Sequence, residues 1–183
     1  MRTYQISSWI EWSDLFKLPN LGRLSHYYLW HLSRGYYIKI VNPDNPKKRS
    51  ISILYISSPF LSIKIRGRNF KVDHSCHHDF RSVKTEIADD GRLVYQFHSH
   101  FYQDKTQQKS GRGEFYLSTS GKSVSRGTFT YDCGNVRNHV ALIPISEIER
   151  TIGIGYLGKF GGDDKKFIEH CIRNFDLLVK LFV

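Results

Sequence analysis

The sequence predicts a mainly β fold: an antiparallel eight-stranded barrel carrying a short N-terminal helix and a C-terminal amphipathic helix. Three observations point there. From Gly35 onward the chain breaks into short β-branched and aromatic runs separated by Gly, Pro and Asn. Ring side chains are abundant, 11 Tyr, 12 Phe and 3 Trp, and such residues favour strands. Eight short runs in succession suit an antiparallel barrel or sandwich, and closure into a barrel removes the unpaired edges.

Taken in order, Ser8 followed three residues later by Glu11 is a capping-box pattern, and Pro19 stops the run, so a helix is expected over residues 8–18. Residues 23–33 read equally as helix or strand. Expected strands cover residues 36–41, 50–56, 60–66, 79–87, 92–99, 113–119, 126–132 and 139–145. Several alternate with period two: Leu61, Ile63 and Ile65 against Ser62, Lys64 and Arg66, and Leu93, Tyr95 and Phe97 against Val94, Gln96 and His98. At the end, Phe167, Ile168, Cys171, Ile172, Phe175, Leu178, Val179 and Phe182 form one helical stripe, to plug an end of the sheet or dock against its outside. The organisation expected is one domain over residues 1–183: an extension at 1–33, a barrel at 34–146 and a helix at 163–182.

Composition bounds the class. Three cysteines at wide spacing support neither a disulfide framework nor a Cys-based zinc ribbon, and read as reduced thiols of a cytoplasmic protein. No apolar signal region follows Met1, and residues 50–63, serine-rich and broken by Pro59, are too short and polar for a membrane span. The formal charge of +10 is lopsided: residues 1–73 hold 12 Lys/Arg against 4 Asp/Glu. That field implies an anionic partner, with nucleic acid as one alternative; "KKR" at 47–49 and "KIRGRNFK" at 64–71 carry much of it.

Four motifs bear on chemistry. Gly121, Lys122 and Ser123 resemble the end of a phosphate-binding loop, but the required first glycine is Tyr116 and strands flank both sides, so Ser120–Lys122 is expected to be a hairpin turn. With Tyr116 opposite Arg126, the turn puts Arg112, Glu114, Tyr116, Arg126, Thr128 and Thr130 on one face, and Phe115, Leu117, Phe129 and Tyr131 on the other. Gly153, Gly155 and Gly158 spell a dinucleotide fingerprint without its β-α-β unit and read as a connector. His74, Cys76, His77 and His78, with His98 and His100 from the next hairpin, are metal-ligating residue types at no named zinc spacing; a metal-dependent hydrolase is the reading they would support. Asp79, Glu86, Asp89 and Asp90 form no paired-acid or triad pattern, so no catalytic residue and no cofactor are assigned.

Ser82 in "FRSVKTEI", Leu93, Tyr95 and Phe97 in "LVYQF", Gly113, Leu117, and then Gly127, Thr128, Phe129, Thr130 and Gly134 follow one another in an order that resembles the sensor barrel of the two-transmembrane effectors of bacterial CBASS anti-phage defence. The resemblance implies an eight-stranded barrel, lipocalin-like in outline, binding a cyclic oligonucleotide in its mouth, with oligomerisation on binding. It departs from the family in lacking the two membrane helices ahead of the barrel, which leaves a sensor or sequestering protein. The ligand's phosphates are then expected on Arg112, Arg126, Thr128 and Thr130, and its bases on Tyr95 and Tyr116; arginine forks and hydroxyls suit phosphate oxygens, and aromatic faces suit bases.

Overall fold

The computed structural model describes residues 30, 33–45, 49–58, 62–70, 76–102, 108–117, 123–134, 136–156 and 164–180. Eight antiparallel strands, β1 (Gly35–Val41), β2 (Ser50–Ser57), β3 (Lys64–Phe70), β4 (Cys76–Ile87), β5 (Leu93–Phe101), β6 (Gln108–Leu117), β7 (Val124–Tyr131) and β8 (Asn138–Pro144), pair in chain order. The circle closes where Ile38 of β1 meets Ile143 of β8. Three helices follow among the described residues: α1 (Ile145–Ile152), α2 (Asp164–Arg173) and α3 (Phe175–Lys180).

All eight expected strands are present, and the shifted boundaries share a cause. β3 runs to Phe70 rather than ending at 66, β6 starts at Gln108 rather than 113, and β4 begins within "HSCHH", which the sequence reading left as a loop. In β3 and β6 the inward positions include Gly67, Gly111 and Gly113, so no apolar alternation marks them. These glycines are required by their cross-strand partners. A Cβ on Gly67 would lie 2.2 Å from the Phe80 ring, on Gly111 2.7 Å from Phe97, and on Gly113 2.6 Å from Tyr95. In β7, Gly127 likewise gives way to Phe115. Each ring lies over its paired glycine and fills the barrel axis.

Around those rings the interior gathers Tyr37, Leu54, Ile56, Ile65, Leu93, Phe97, Phe115, Phe129, Val140 and Leu142. Trp30, fully buried, joins this cluster and donates its indole N–H to Gly91 O at 2.8 Å, where the β4–β5 turn takes a positive φ of 81°. A bulge at Val83 interrupts the β4–β5 ladder; beside it Ser82 Oγ accepts from Ile65 N at 2.9 Å and Thr85 Oγ1 donates to Ile63 O at 2.7 Å, which keeps the backbone groups of β3 satisfied.

A second apolar cluster lies outside the wall. Ile38, Ile40, Ile51, Ile53, Ala141 and Ile143 point away from the axis and are covered by Ile145, Ile148, Phe167, Ile168, Cys171 and Leu178 of the helices. Strands buried on both faces read as continuous apolar runs, as "YYIKIV" and "SISILYI" do. The C-terminal stripe therefore docks on the outside of the barrel. It is two helical segments rather than one, because Asn174 turns its side chain back to His170 O at 3.0 Å at their junction. α1 was not expected; it ends at Gly153, whose φ of 72° and N–H to Glu149 O form the cap. The expected helix at 8–18, the turn at 120–122, and His74, Gly158 and Phe182 lie outside the described residues. No helix among those described is long and apolar enough to cross a membrane.

Candidate functional site

The expected register of the β6–β7 hairpin is the observed one, with Tyr116 opposite Arg126, Glu114 opposite Thr128 and Arg112 opposite Thr130. The two faces also divide as expected: Phe115 and Phe129 are buried inside, with Leu117 and Tyr131 packed on the interior cluster. The polar set therefore lies on the outer wall. Of the six expected ligand contacts, Tyr95 alone points inward, while Arg112, Tyr116, Arg126, Thr128 and Thr130 face outward. The fold does not bring Tyr95 together with the other five, because residues opposite one another across a ladder share a face and Tyr95 pairs with Gly113.

The five outer residues fall into two groups. Tyr116 and Thr128 both donate to Glu114 Oε1, at 3.0 and 3.1 Å, and Arg92 and Arg137 form ion pairs with the same carboxylate. Burial pulls the Glu114 carboxyl up, but those hydrogen bonds and the two guanidinium charges outweigh it, and it ends below the usual carboxylate range. Arg126 lies over the Tyr116 ring at 5.5 Å. Glu114 thus fills the centre of this network, and its donors are already engaged. Arg112 and Thr130 stand one row away, Arg112 exposed and in no ion pair among the described residues.

Following the ladders outward from Arg112 uncovers a larger basic surface. Across β6, β5 and β4 its row continues through Gln96 to Lys84, and the next row runs from Ser110 through His98 and Arg81 to Arg66. Arg66 and Arg81 are direct cross-strand partners, both exposed, and neither forms an ion pair among the described residues. Like charges placed opposite each other on a sheet destabilise it. A concavity of about 520 Å³ opens beside them, lined by Arg66, Arg68, Asp79, Arg81 and His100. Arg68 is fixed differently: it bonds Asp79 at 3.1 Å and the buried Asp164 of α2 at 2.7 Å, and Asp164 also accepts from Tyr156 Oη at 2.6 Å. Tyr102 donates to the other oxygen of Asp79.

Of the described histidines, His77 and His78 meet edge-on with ring centres 5.2 Å apart, and His98 and His100 lie apart from them. His78 is inside the barrel against Phe101 and the interior cavity, whereas His98 faces outward, its Nδ1 2.6 Å from Gln108 Nε2, and His100 is exposed on the outer wall. Among the described residues no group of three or more His, Cys, Asp or Glu side chains could hold a metal ion. Among the described residues the interior is closely packed, and the cavity among Lys39, His78, Tyr95, Ser99 and Tyr131 measures about 10 Å³.

Sequence reasoning missed the Arg66–Arg81 pair because Lys64, Arg66 and Arg68 were read within one basic tract, and their partner across β4 follows only from register. It missed Lys39 as an interior residue, although Tyr37, Lys39 and Val41 share a face by period two. Comparison with known proteins found no matching family model, no matching curated protein and no matching solved structure.

Proposed function

We propose that this barrel is a non-enzymatic binder of phosphate-bearing nucleotide chains, with the outer wall of β3–β7 as its binding face. One observation carries the reading: Arg66 and Arg81 sit directly opposite each other, with no ion pair to either among the described residues, beside a concavity of about 520 Å³. Bridging phosphates would relieve their repulsion, and Arg112, Lys84 and His98 extend the same surface for successive phosphates along a strand. Backbone contacts of this kind give salt-steep affinity with little sequence preference. If four of these cations meet phosphates, binding of single-stranded RNA or DNA should fall with a log–log salt slope of about −3.

The lipocalin-like outline implied by the CBASS resemblance would place a ligand in the barrel mouth. The close packing of the described interior favours the outer concavity instead, and that hollow is within the size range of ordinary small-molecule sites. A cyclic oligonucleotide bound there, making the protein a sensor or sequestering protein in anti-phage signalling, is the second reading. The two separate cleanly. Fluorescence anisotropy with labelled single strands at low and high salt tests the first, and thermal shifts against a panel of cyclic oligonucleotides test the second. Salt-independent or undetectable binding to single strands rejects the first; no shift with any cyclic ligand rejects the second.

A further inference from the structure

The barrel interior holds a polar cluster that the outer face does not use. Lys39 enters it from β1, 6% exposed, with Nζ 4.2 Å from the centre of the Phe80 ring and 5.0 Å from that of Phe129. No carboxylate among the described residues forms an ion pair with it. Lys39 lines the 10 Å³ cavity together with His78, Tyr95, Ser99 and Tyr131, and a hollow of that size admits one water-sized species. Two lining atoms, Ser99 Oγ and His78 Nδ1, are buried without a well-formed hydrogen bond among the described residues, the Tyr131 hydroxyl being near enough to Ser99 to interact with it only weakly. Lys109 of β6 sets a second ammonium near the rim, 5.3 Å from the Phe101 ring and 5.8 Å from Tyr131.

The chemistry of this set is one-sided. An ammonium and three hydroxyls can donate, and no acidic side chain among the described residues lines the hollow. A buried cation without counter-charge is costly, whereas a small anion would accept from Lys39 and from the Ser99 hydroxyl at once. We propose that the cavity is a site for a halide-sized monovalent anion, held by Lys39 Nζ and the hydroxyls of Ser99 and Tyr131. Larger anions such as phosphate do not fit, so the site is separate from the nucleotide-binding face.

The groups facing Lys39 sharpen the expected pH dependence. They are His78 from β4, Tyr95 from β5 and Tyr131 from β7, with Lys109 beside them; β2, β3 and β8 present Ser52, Leu54, Ile65, Gly67, Val140 and Leu142 to the interior. Burial, with Lys39 nearby, takes His78 down to about 3, and burial raises both tyrosines, so these stay neutral between pH 5 and 9. Burial alone takes Lys39 down to about 7. The anion should therefore bind below neutral pH, where Lys39 is charged, and weaken above it.

The test is thermal unfolding of the full chain in sodium chloride and in sodium gluconate at equal ionic strength. At pH 6 chloride should raise Tm by about 2–4 °C over gluconate, with the gain shrinking by pH 9. It should vanish in Lys39→Met and fall in Ser99→Ala, the second variant serving if the first does not fold. Crystals soaked in sodium bromide should show an anomalous peak inside the barrel. Equal melting temperatures in the two salts at pH 6, an undiminished chloride gain in both variants, or a cavity holding water alone would overturn the proposal.

Discussion

The two halves of the barrel wall are built from the same strand geometry and differ in what their outward residues meet. On β8, β1 and β2 the outward positions are Ile38, Ile40, Ile51, Ile53, Ala141 and Ile143, sealed under α1–α3. On β4–β7 the outward positions are Arg81, Gln96, His98, Arg112, Thr128 and Thr130, left to solvent. The covering helices carry five acidic and five basic residues and present a balanced surface. On the uncovered wall Lys84 pairs with Glu86 at 3.6 Å, while Arg66, Arg81 and Arg112 form no ion pair among the described residues. Apolar burial is therefore concentrated on one side, and on the proposed reading the phosphate-binding face lies on the other, with Arg68 at the seam, held by Asp79 on the barrel and Asp164 on α2.

The largest effect expected from that contrast is on the covered side. Ile40→Asp places a carboxylate at a fully buried outward position and should cost more than about 4 kcal/mol in urea denaturation, or abolish folding. Gln96→Asp, the same residue type on the bare wall, should stay within about 0.5 kcal/mol. Equal costs would erase the distinction between the halves.

At the seam, Asp164→Asn removes the buried charge and replaces one of the two acceptor oxygens shared by Arg68 and Tyr156 with a donor, and should cost about 2–4 kcal/mol, less than a fully enclosed pair because Arg68 remains partly exposed. If stability is unchanged, the clamp does not hold α2 to the barrel.

Stability should also rise with pH. The unfolded chain protonates His78 below its ordinary 6.5, while the folded chain resists until about 3, so stability is lost as pH falls through that window. The unfolded chain keeps the Lys39 proton to 10.5, while the folded chain releases it near 7, so stability is gained between those values. Both act in one direction. From pH 5 to 9 in gluconate the gain should be about 5 kcal/mol by denaturant titration, falling to about 2 kcal/mol in Lys39→Met, where His78 alone remains. A profile flat in both proteins would contradict the buried placement of these two groups.

Filling the interior has a smaller signature. Gly127→Ala sets a Cβ 2.3 Å from Glu114 O and 2.5 Å from the Phe115 ring, and should cost about 1–3 kcal/mol by denaturation, with no change in nucleotide affinity.

Much of this architecture was legible from residue order. The eight strands and the alternating set Leu93, Tyr95 and Phe97 follow from the residue pattern, whereas the Tyr116–Arg126 pairing is one register among those the sequence allows and is the one observed. What alternation does not reveal is how much of the interior the rings consume. Phe80, Tyr95, Phe97 and Phe115 each face a glycine, and that pairing turns a possible ligand hollow into packed side chains. Nor does a single strand show its lateral neighbours. The expected site residues Arg126, Thr128 and Tyr116 are drawn into the Glu114 network, and the Arg66–Arg81 juxtaposition needs the β3–β4 register, which expected strands ending at 66 and starting at 79 do not supply.

The most direct test of the two-sided wall is to titrate isotope-labelled protein with a single-stranded oligonucleotide and follow backbone amide shifts, in the wild type and in Arg66→Ser/Arg81→Ser. The predicted result is a set of perturbations along β3–β7, centred on Arg66, Arg81, His98 and Arg112, with β8, β1 and β2 silent and affinity at least about tenfold lower in the double variant. Shifts concentrated under α1–α3 or in the barrel interior, or an affinity untouched by removing both arginines, would contradict it.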